Sequence, residues 1–295
     1  MKNVFHYVVG NYKFSIATDQ PLTVEDKFSK FVWNGNEFLM ERTFNFKMVK
    51  SLPDVKKIKG FSEKDLPFAE YEVDGKLVRC FFTDYTEELY GILYPVSDRV
   101  WDVYYLEQWK HLFNSMDKLF FHLAFERQMV ESDAIILHSS LIDINGVGVL
   151  FSGPSGIGKS TQADLWCQFE GAKIINGDKV ILRKEDGVWF GYGSPFAGSS
   201  KVYCDVKVPI CAVAFLNRAV DVCSCRRLDL LEAFKKMYSQ TTLNSWNESF
   251  SVKSSEMIGD FCMDVFAFEL RNRKDYSSVK CLKETLIKEG IYGSR

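Results

Sequence analysis

Val147-Gly-Val-Leu-Phe-Ser-Gly153-Pro-Ser-Gly156-Ile-Gly158-Lys159-Ser160-Thr161 runs from an apolar strand pattern through a glycine-rich loop into a lysine and two hydroxyl residues. Residues Gly153–Ser160 fit G-x-x-x-x-G-K-[ST], the Walker A pattern, which a chain of this length matches by accident on the order of one time in a hundred. An apolar strand before the motif and a helical pattern over Ser160–Phe169 after it supply the context the motif needs. Gly153, Gly156 and Gly158 let the backbone curl so that N–H groups converge on the β- and γ-phosphates of a nucleotide. The loop N–H groups from Gly153 through Ser155, Gly156, Ile157, Gly158, Lys159, Ser160 and Thr161 form the expected cradle. The following helix adds its N-terminal dipole. Lys159 is placed to reach the β/γ oxygens, and the Ser160 hydroxyl to ligate Mg²⁺.

Working outward, Asn145-Gly146 is a strong two-residue turn, so Ala134–Ile144 and Val147–Ser152 read as a hairpin whose second strand delivers the loop. The first strand carries His138. A lone strand histidine is ordinarily a core or edge residue, but the hairpin sets this one against the loop-bearing strand. After the loop helix, Gly171 marks a stop and Ala172–Ile175 a short strand, followed by Asn176-Gly177-Asp178-Lys179. A magnesium-bound triphosphate needs a carboxylate near the end of a neighbouring strand, and Asp178 is the candidate. The same tripeptide is also good turn chemistry, so both readings stand on sequence alone. Val180–Arg183 and Val188–Tyr192 read as a hairpin around Asp186-Gly187, and Val208–Leu216 as a further strand. Leu228–Tyr238 and Ser254–Met263 read as helices, and Val265–Leu270 and Val279–Glu289 as a closing strand and helix.

Residues 1–107 have a different texture. Phe5–Ile16, Ala69–Cys80 and Tyr90–Tyr105 mix aromatic and β-branched residues, with Asp74-Gly75 as a turn, and predict a β-rich region. Ser51–Lys64 is Lys-rich and reads as a solvated connection. From Gln108 to Met129, Trp109, Leu112, Phe113, Met116, Leu119, Phe120 and Leu123 recur at helical spacing, so a second, α/β domain is expected over 108–295.

Composition excludes several classes. The 295 residues are 46% hydrophobic, with 25 Phe, 13 Tyr and 6 Trp, too much apolar surface for a disordered chain. A formal net charge of −2 argues against a broad basic face for nucleic acid or an anionic membrane. The longest apolar runs, such as Ile210–Leu216, are far too short to span a bilayer, and Met1–Tyr7 lacks the apolar core of a signal peptide. Eight irregularly spaced cysteines without paired C-x-x-C elements read as reduced thiols, and a cytoplasmic location is expected.

The run Leu137-His138-Ser-Ser-Leu-Ile-Asp-Ile-Asn-Gly-Val-Gly-Val-Leu-Phe-Ser-Gly-Pro-Ser-Gly-Ile-Gly-Lys-Ser160, with Lys173-Ile-Ile-Asn-Gly-Asp178-Lys-Val, resembles the catalytic domain of HPr serine kinase/phosphorylase. That family belongs to the phosphoenolpyruvate-carboxykinase-like P-loop kinases, whose relatives include kinases of lasso-peptide and other modified-peptide gene clusters. The resemblance covers about Ala134–Arg183, and nothing in residues 1–107 matches the N-terminal domain of HPr kinase. It implies ATP-dependent phosphorylation of a serine-type hydroxyl in a peptide or protein and, by analogy, self-association into a homo-oligomer. Acceptor binding by the β-rich region is an expectation of the kinase reading, with no such site visible in its sequence. His138 matches the family histidine near the transferred phosphate, and Lys159 and Ser160 match the loop lysine and metal-binding hydroxyl. The family commonly has two consecutive aspartates after the strand, the first proposed as general base. Here Gly177 stands at that position and only Asp178 remains, so Asp178 or His138 is left to take the proton. The acid that follows the loop serine is replaced by Thr161. Lys179, Lys201 and Arg183 are candidate cations near the acceptor, and Gly193–Lys201 is a small-residue segment that reads equally as a substrate-approaching loop or a plain one. Tyr238–Thr242 reads as a polar helix end. Two alternatives accompany the kinase reading: a kinase for a small molecule such as a free amino acid, and a nucleotide-binding switch or degenerate kinase. No Asn-Lys-x-Asp guanine-recognition element is present, so ATP is the expected donor.

Overall fold

Gly10 and Asn11 both take left-handed backbone, with φ of 61° and 64°. The stretch expected as one β region over Phe5–Ile16 therefore folds back on itself, as β1 (Asn3–Val9) and β2 (Tyr12–Thr18). In a computed structural model that describes residues 3–35, 40–57, 68–83, 88–219, 221–244 and 247–291, the chain divides into two compact units, residues 1–128 and 129–295. No helix among the described residues is long and apolar enough to cross a membrane.

The first unit is built on one sheet. After β2 and the short α1 (Asp26–Ser29) come β3 (Arg42–Val49), β4 (Lys56–Lys57), β5 (Phe68–Val73), β6 (Lys76–Phe82), β7 (Leu89–Pro95) and β8 (Val100–Leu106). Their order is β1-β2-β3-β8-β7-β6-β5-β4, with parallel pairing only at β2–β3 and β3–β8. Ser51–Lys64 lies partly outside the described residues, and its described part contains β4. A 3₁₀ helix (Glu107–Phe113), α2 (Met116–Phe121) and α3 (Phe125–Glu131) follow. The expected boundary at 107/108 is corrected here, because this amphipathic segment supplies the aromatic core of the β sheet. Phe120 lies 5.3 Å from Tyr7, 5.5 Å from Phe14 and 4.5 Å from Phe28, and Phe113 stacks on Tyr105 at 4.1 Å. Each fully buried aromatic contributes about 1.5–3 kcal/mol, so the sheet and these helices stand or fall together.

The second unit is α/β, as the sequence predicts. β9 (Ala134–Ile144) and β10 (Val147–Ser152) form the expected hairpin, with Asn145 and Gly146 at φ of 54° and 87°. α4 (Lys159–Glu170) follows the loop and ends on Gly171 in the left-handed region. β11 (Lys173–Asn176) and β12 (Lys179–Glu185) run in line along one edge of β9, so they act as a single strand interrupted at Gly177 and Asp178. β13 (Val188–Tyr192) pairs back on β12, and β14 (Lys207–Arg218) pairs antiparallel with β13 and parallel with β10. The pairings thus close a ring through β9, β12, β13, β14 and β10. β16 (Phe266–Asn272) extends β14 in parallel, and β15 (Ser224–Arg227), which the sequence reading did not anticipate, caps that edge.

Helices cover both faces. Val149 and Phe151 of β10 and Ala212, Ala214 and Leu216 of β14 pack with α4 and α7 (Tyr276–Lys288). The alternate residues, Leu150, Val213 and Phe215, pack with α5 (Leu230–Gln240) and α6 (Glu248–Asp264). Burial on both faces is why Ile210–Leu216 reads as an unbroken apolar run. α5 begins on a capping box, Asp229 with Glu232, and α6 on Asn247, each later or earlier than its apolar pattern suggests.

Candidate active site

Lys159 opens α4, and Gly158 before it sits at φ 115°, a backbone conformation that only glycine adopts at little cost. A cavity of about 220 Å³ forms over this helix end. It is lined by His138, Ser155, Gly156, Gly158, Lys159, Ser160, Thr161, Gly177 and Asp178, joined by Lys274. The cavity therefore gathers residues that the sequence reading placed in the loop, the hairpin strand and the carboxylate turn. Gly153 and Ile157 do not line it. Gly153 contributes its carbonyl, which accepts from Lys159 Nζ at 3.0 Å, and Ile157 lines a neighbouring cavity. Lys159 also donates to the Pro154 carbonyl at 3.3 Å, so its ammonium lies over its own loop. It is 7% exposed, and burial pushes its ammonium below the ordinary lysine range against the opposing pull of Asp178.

The break between β11 and β12 positions the carboxylate. Lys179 pairs with His138 and Asn176 with Leu141, which leaves Gly177 and Asp178 opposite Ser139 and Ser140. Ser139 N donates to Asp178 O at 2.8 Å, and Ser140 Oγ to Gly177 O at 3.0 Å. The Asn176 side chain, fully buried, accepts from the N–H groups of Asp178 (2.9 Å) and Lys179 (3.0 Å) and donates to Ser194 O (2.9 Å). The turn chemistry suspected from sequence is thus present, and it aims the carboxylate into the loop cavity. His138 Nε2 lies 3.2 Å from Asp178 Oδ1. That hydrogen bond, aided by Lys179 and Lys159, holds the Asp178 carboxyl below its usual range against the effect of partial burial.

Gly193–Lys201 comes to the same turn. Lys179 N donates to Phe196 O at 3.2 Å, and a Cβ at Gly198 would lie 2.8 Å from Asp178 Cγ, so this loop packs directly behind the carboxylate. A Cβ at Gly177 would lie 1.8 Å from Ser200 Oγ, so the space a side chain would need there is filled by the Ser200 hydroxyl. Of the three basic candidates, Lys179 acts on Asp178, whereas Arg183 bonds to Ser132 O and to Ser132 Oγ and stays away from the cavity, and Lys201 does not line it. Tyr238–Thr242 is a helix end that pairs with β9, with Thr242 N donating to Ile136 O at 2.8 Å.

Sequence reasoning missed Lys274, together with Arg218 and Asn272 in the adjoining cavity. Each stands at or just past the C-terminal end of β14 or β16. The available signal was topological: ligands bind outside the carboxyl ends of parallel strands.

No family model matches the chain. A curated HPr kinase/phosphorylase from Clostridium botulinum is 44% identical over 55 residues, which is 19% of this chain and 18% of that protein. One from Listeria monocytogenes is 41% identical over 61 residues, 21% of this chain and 19% of that protein. The chain therefore spans about a fifth of the length of these curated relatives, and over that segment it is HPr kinase-like. Among solved structures, the HPr(Ser) kinase/phosphatase from Coxiella burnetii aligns with 52% of this chain and 89% of its own at 15% identity, with a TM-score of 0.31.

Proposed function

We propose that the α/β unit is an ATP-dependent kinase that transfers the γ-phosphoryl group to a serine-type hydroxyl of a peptide or protein. The observation that carries this reading is the convergence of Lys159, Ser160 and the His138–Asp178 pair on one cavity above the N-terminus of α4. The named activity of the curated relatives supports the same reaction class.

Phosphoryl transfer asks the protein for positioning and charge neutralisation more than for covalent chemistry. The loop N–H groups and helix end hold the β- and γ-phosphates. Lys159 meets the oxygens of the moving group. Ser160 and Asp178, a hydroxyl and a carboxylate on the same cavity, are hard oxygen donors of the kind that would hold Mg²⁺. Bound there, the ion would offset phosphate charge. Asp178, kept ionised by its hydrogen bond to His138, accepts the proton of the acceptor hydroxyl in the absence of a carboxylate at 177. His138 steadies that carboxylate on the side facing the loop.

In this reading the β-rich unit, which holds none of the donor-site residues, is assigned to acceptor recognition, and the protein works in the cytoplasm as a homo-oligomer without nucleic acid or membrane. The test uses γ-labelled ATP, Mg²⁺ and host extract, with Lys159→Ala as control, followed by separation on a size-cutoff membrane. Lys159-dependent label on macromolecules supports the proposal. Label on a small molecule replaces it with a metabolite kinase, and free phosphate alone, or no turnover, replaces it with a nucleotide-binding switch.

A further inference from the structure

The loop cavity continues into a second one of about 530 Å³, and Gly156 and Lys274 line both. The second cavity lies at the C-terminal ends of the parallel strands β10, β14 and β16, where the phosphate loop, Arg218 and Asn272–Asp275 emerge side by side. Three cations line it, Arg218, Arg273 and Lys274, against one acid, Asp275. They are not equally available. Arg273 Nε donates to Asp275 Oδ2 at 3.0 Å and Arg273 NH1 to Asp221 O at 2.7 Å. Arg218 makes one long contact, to Gly156 O at 3.4 Å, and Lys274 makes no ion pair or hydrogen bond among the described residues. The strand end that carries Lys274 is held firmly: Gln162 of α4 donates to Arg273 O at 2.8 Å, and Arg273 N donates to Ser278 Oγ at 2.6 Å. A free ammonium on a braced segment, at the junction of two cavities, is arranged for a ligand that passes from one to the other.

Asn272 supplies an independent sign. It is 7% exposed, and its Oδ1 is buried with no hydrogen-bond partner among the described residues. Buried polar atoms are nearly always satisfied, and an unpaired acceptor on a residue that lines the cavity suits a hydroxyl donor. The described lining contains no aromatic side chain. A flat base can be met there by a guanidinium face, which does not read the hydrogen-bonding edge of the base.

Resting on the kinase reading, we infer that this second cavity binds the α-phosphate and ribose of the donor nucleotide, with Lys274 on the α-phosphate, Asn272 toward the ribose and Arg218 against a base whose identity is weakly read. Calorimetric binding to the full-length chain tests it with three probes: MgATP, MgGTP and inorganic pyrophosphate with Mg²⁺, which retains only the equivalent of the β- and γ-phosphates. Loss of a charged hydrogen bond to phosphate predicts that Lys274→Ala weakens MgATP by about tenfold or more. Pyrophosphate should change by less than about threefold, and Lys274→Arg should restore much of the loss. Arg218→Ala should weaken ATP and GTP alike, and the wild type should bind the two nucleotides within about threefold of each other. Equal weakening of ATP and pyrophosphate by Lys274→Ala would move Lys274 into the phosphate cavity and overturn the assignment, as would no effect on either. A strong preference for one base would overturn the weak reading of the base. If the wild type binds none of the probes, the donor reading itself falls and this inference falls with it. Pyrophosphate binding that survives while ATP shows no Lys274 dependence rejects the inference alone.

Discussion

Restoring the carboxylate that the HPr kinase resemblance leads one to expect at position 177 should damage this protein. An ideal Cβ at Gly177 lies 1.8 Å from Ser200 Oγ and 2.5 Å from Ser200 Cβ, far inside van der Waals contact, so Gly177→Asp must drive the Ser200 loop outward. Ser200 Oγ donates to Ala197 O at 2.7 Å and accepts from Val202 N at 3.3 Å, and both bonds are put at risk. Overpacking costs about 1–3 kcal/mol and each of the two strained hydrogen bonds about 1 kcal/mol, which together predict a loss of about 3–5 kcal/mol. A second carboxylate beside Asp178 adds like-charge repulsion. Ser200→Gly removes both clashing atoms, so the double variant should recover about 1–3 kcal/mol relative to the sum of the singles. Urea denaturation of the four proteins measures that coupling. A Gly177→Asp protein as stable as the wild type, or strictly additive single and double variants, would refute the claim that Ser200 fills the place of a side chain at 177.

Gly198→Ala places a Cβ 2.8 Å from Asp178 Cγ at a residue with φ of 54°, so kcat should fall by about tenfold or more while MgATP affinity holds, as initial-rate and binding measurements would reveal. Lys159→Ala should lower kcat by about 10²–10³-fold without loss of secondary structure by circular dichroism. Because burial holds the Lys159 ammonium below its ordinary range, the alkaline limb of the rate profile should set in at lower pH than for a free lysine. In the β-rich unit, burial pushes His122 down to about 4 from 6.5. Its Nδ1 donates to Lys118 O at 2.6 Å, leaving Nε2 to accept from the Tyr90 hydroxyl at 3.0 Å, which is the neutral ring. The unfolded chain binds the extra proton below pH 6.5, so stability is full above that value and falls toward pH 4, by about 3 kcal/mol in all. Denaturation midpoints across this window should slope less in His122→Leu, and an unchanged slope would contradict the assignment.

The glycine-rich loop was legible because the Walker A pattern specifies both residue type and backbone conformation in one contiguous run. Asn145-Gly146 was legible for the same reason, since two successive left-handed residues leave few choices. Asp178 could be named but not resolved between turn and site: Asn176 makes the turn, and that turn places the carboxylate in the loop cavity. Gly10-Asn11 carried a hairpin signal inside a stretch read as continuous. β15 is four mostly polar residues at a sheet edge, with no apolar alternation to betray it. The boundary between the units was misplaced because an amphipathic period announces that a helix has an apolar face, not which core receives it. Only the contacts of Phe113 and Phe120 assign that segment to the first unit. Lys274, Asn272 and Arg218 had no local signature, because they become neighbours only through the order β10-β14-β16.

His138 and Lys179 face each other as one rung of the β9–β12 ladder, and the next amide along β9, that of Ser139, is bonded to Asp178 itself. The His138–Asp178 pair is therefore part of the backbone pairing and does not sit on a loop that can wander independently. Its integrity can be followed without substrate. Slow hydrogen exchange at the Ser139 amide would count the molecules in which the histidine and carboxylate are in register, and any binding event that frays this edge would be seen first as a loss of protection there.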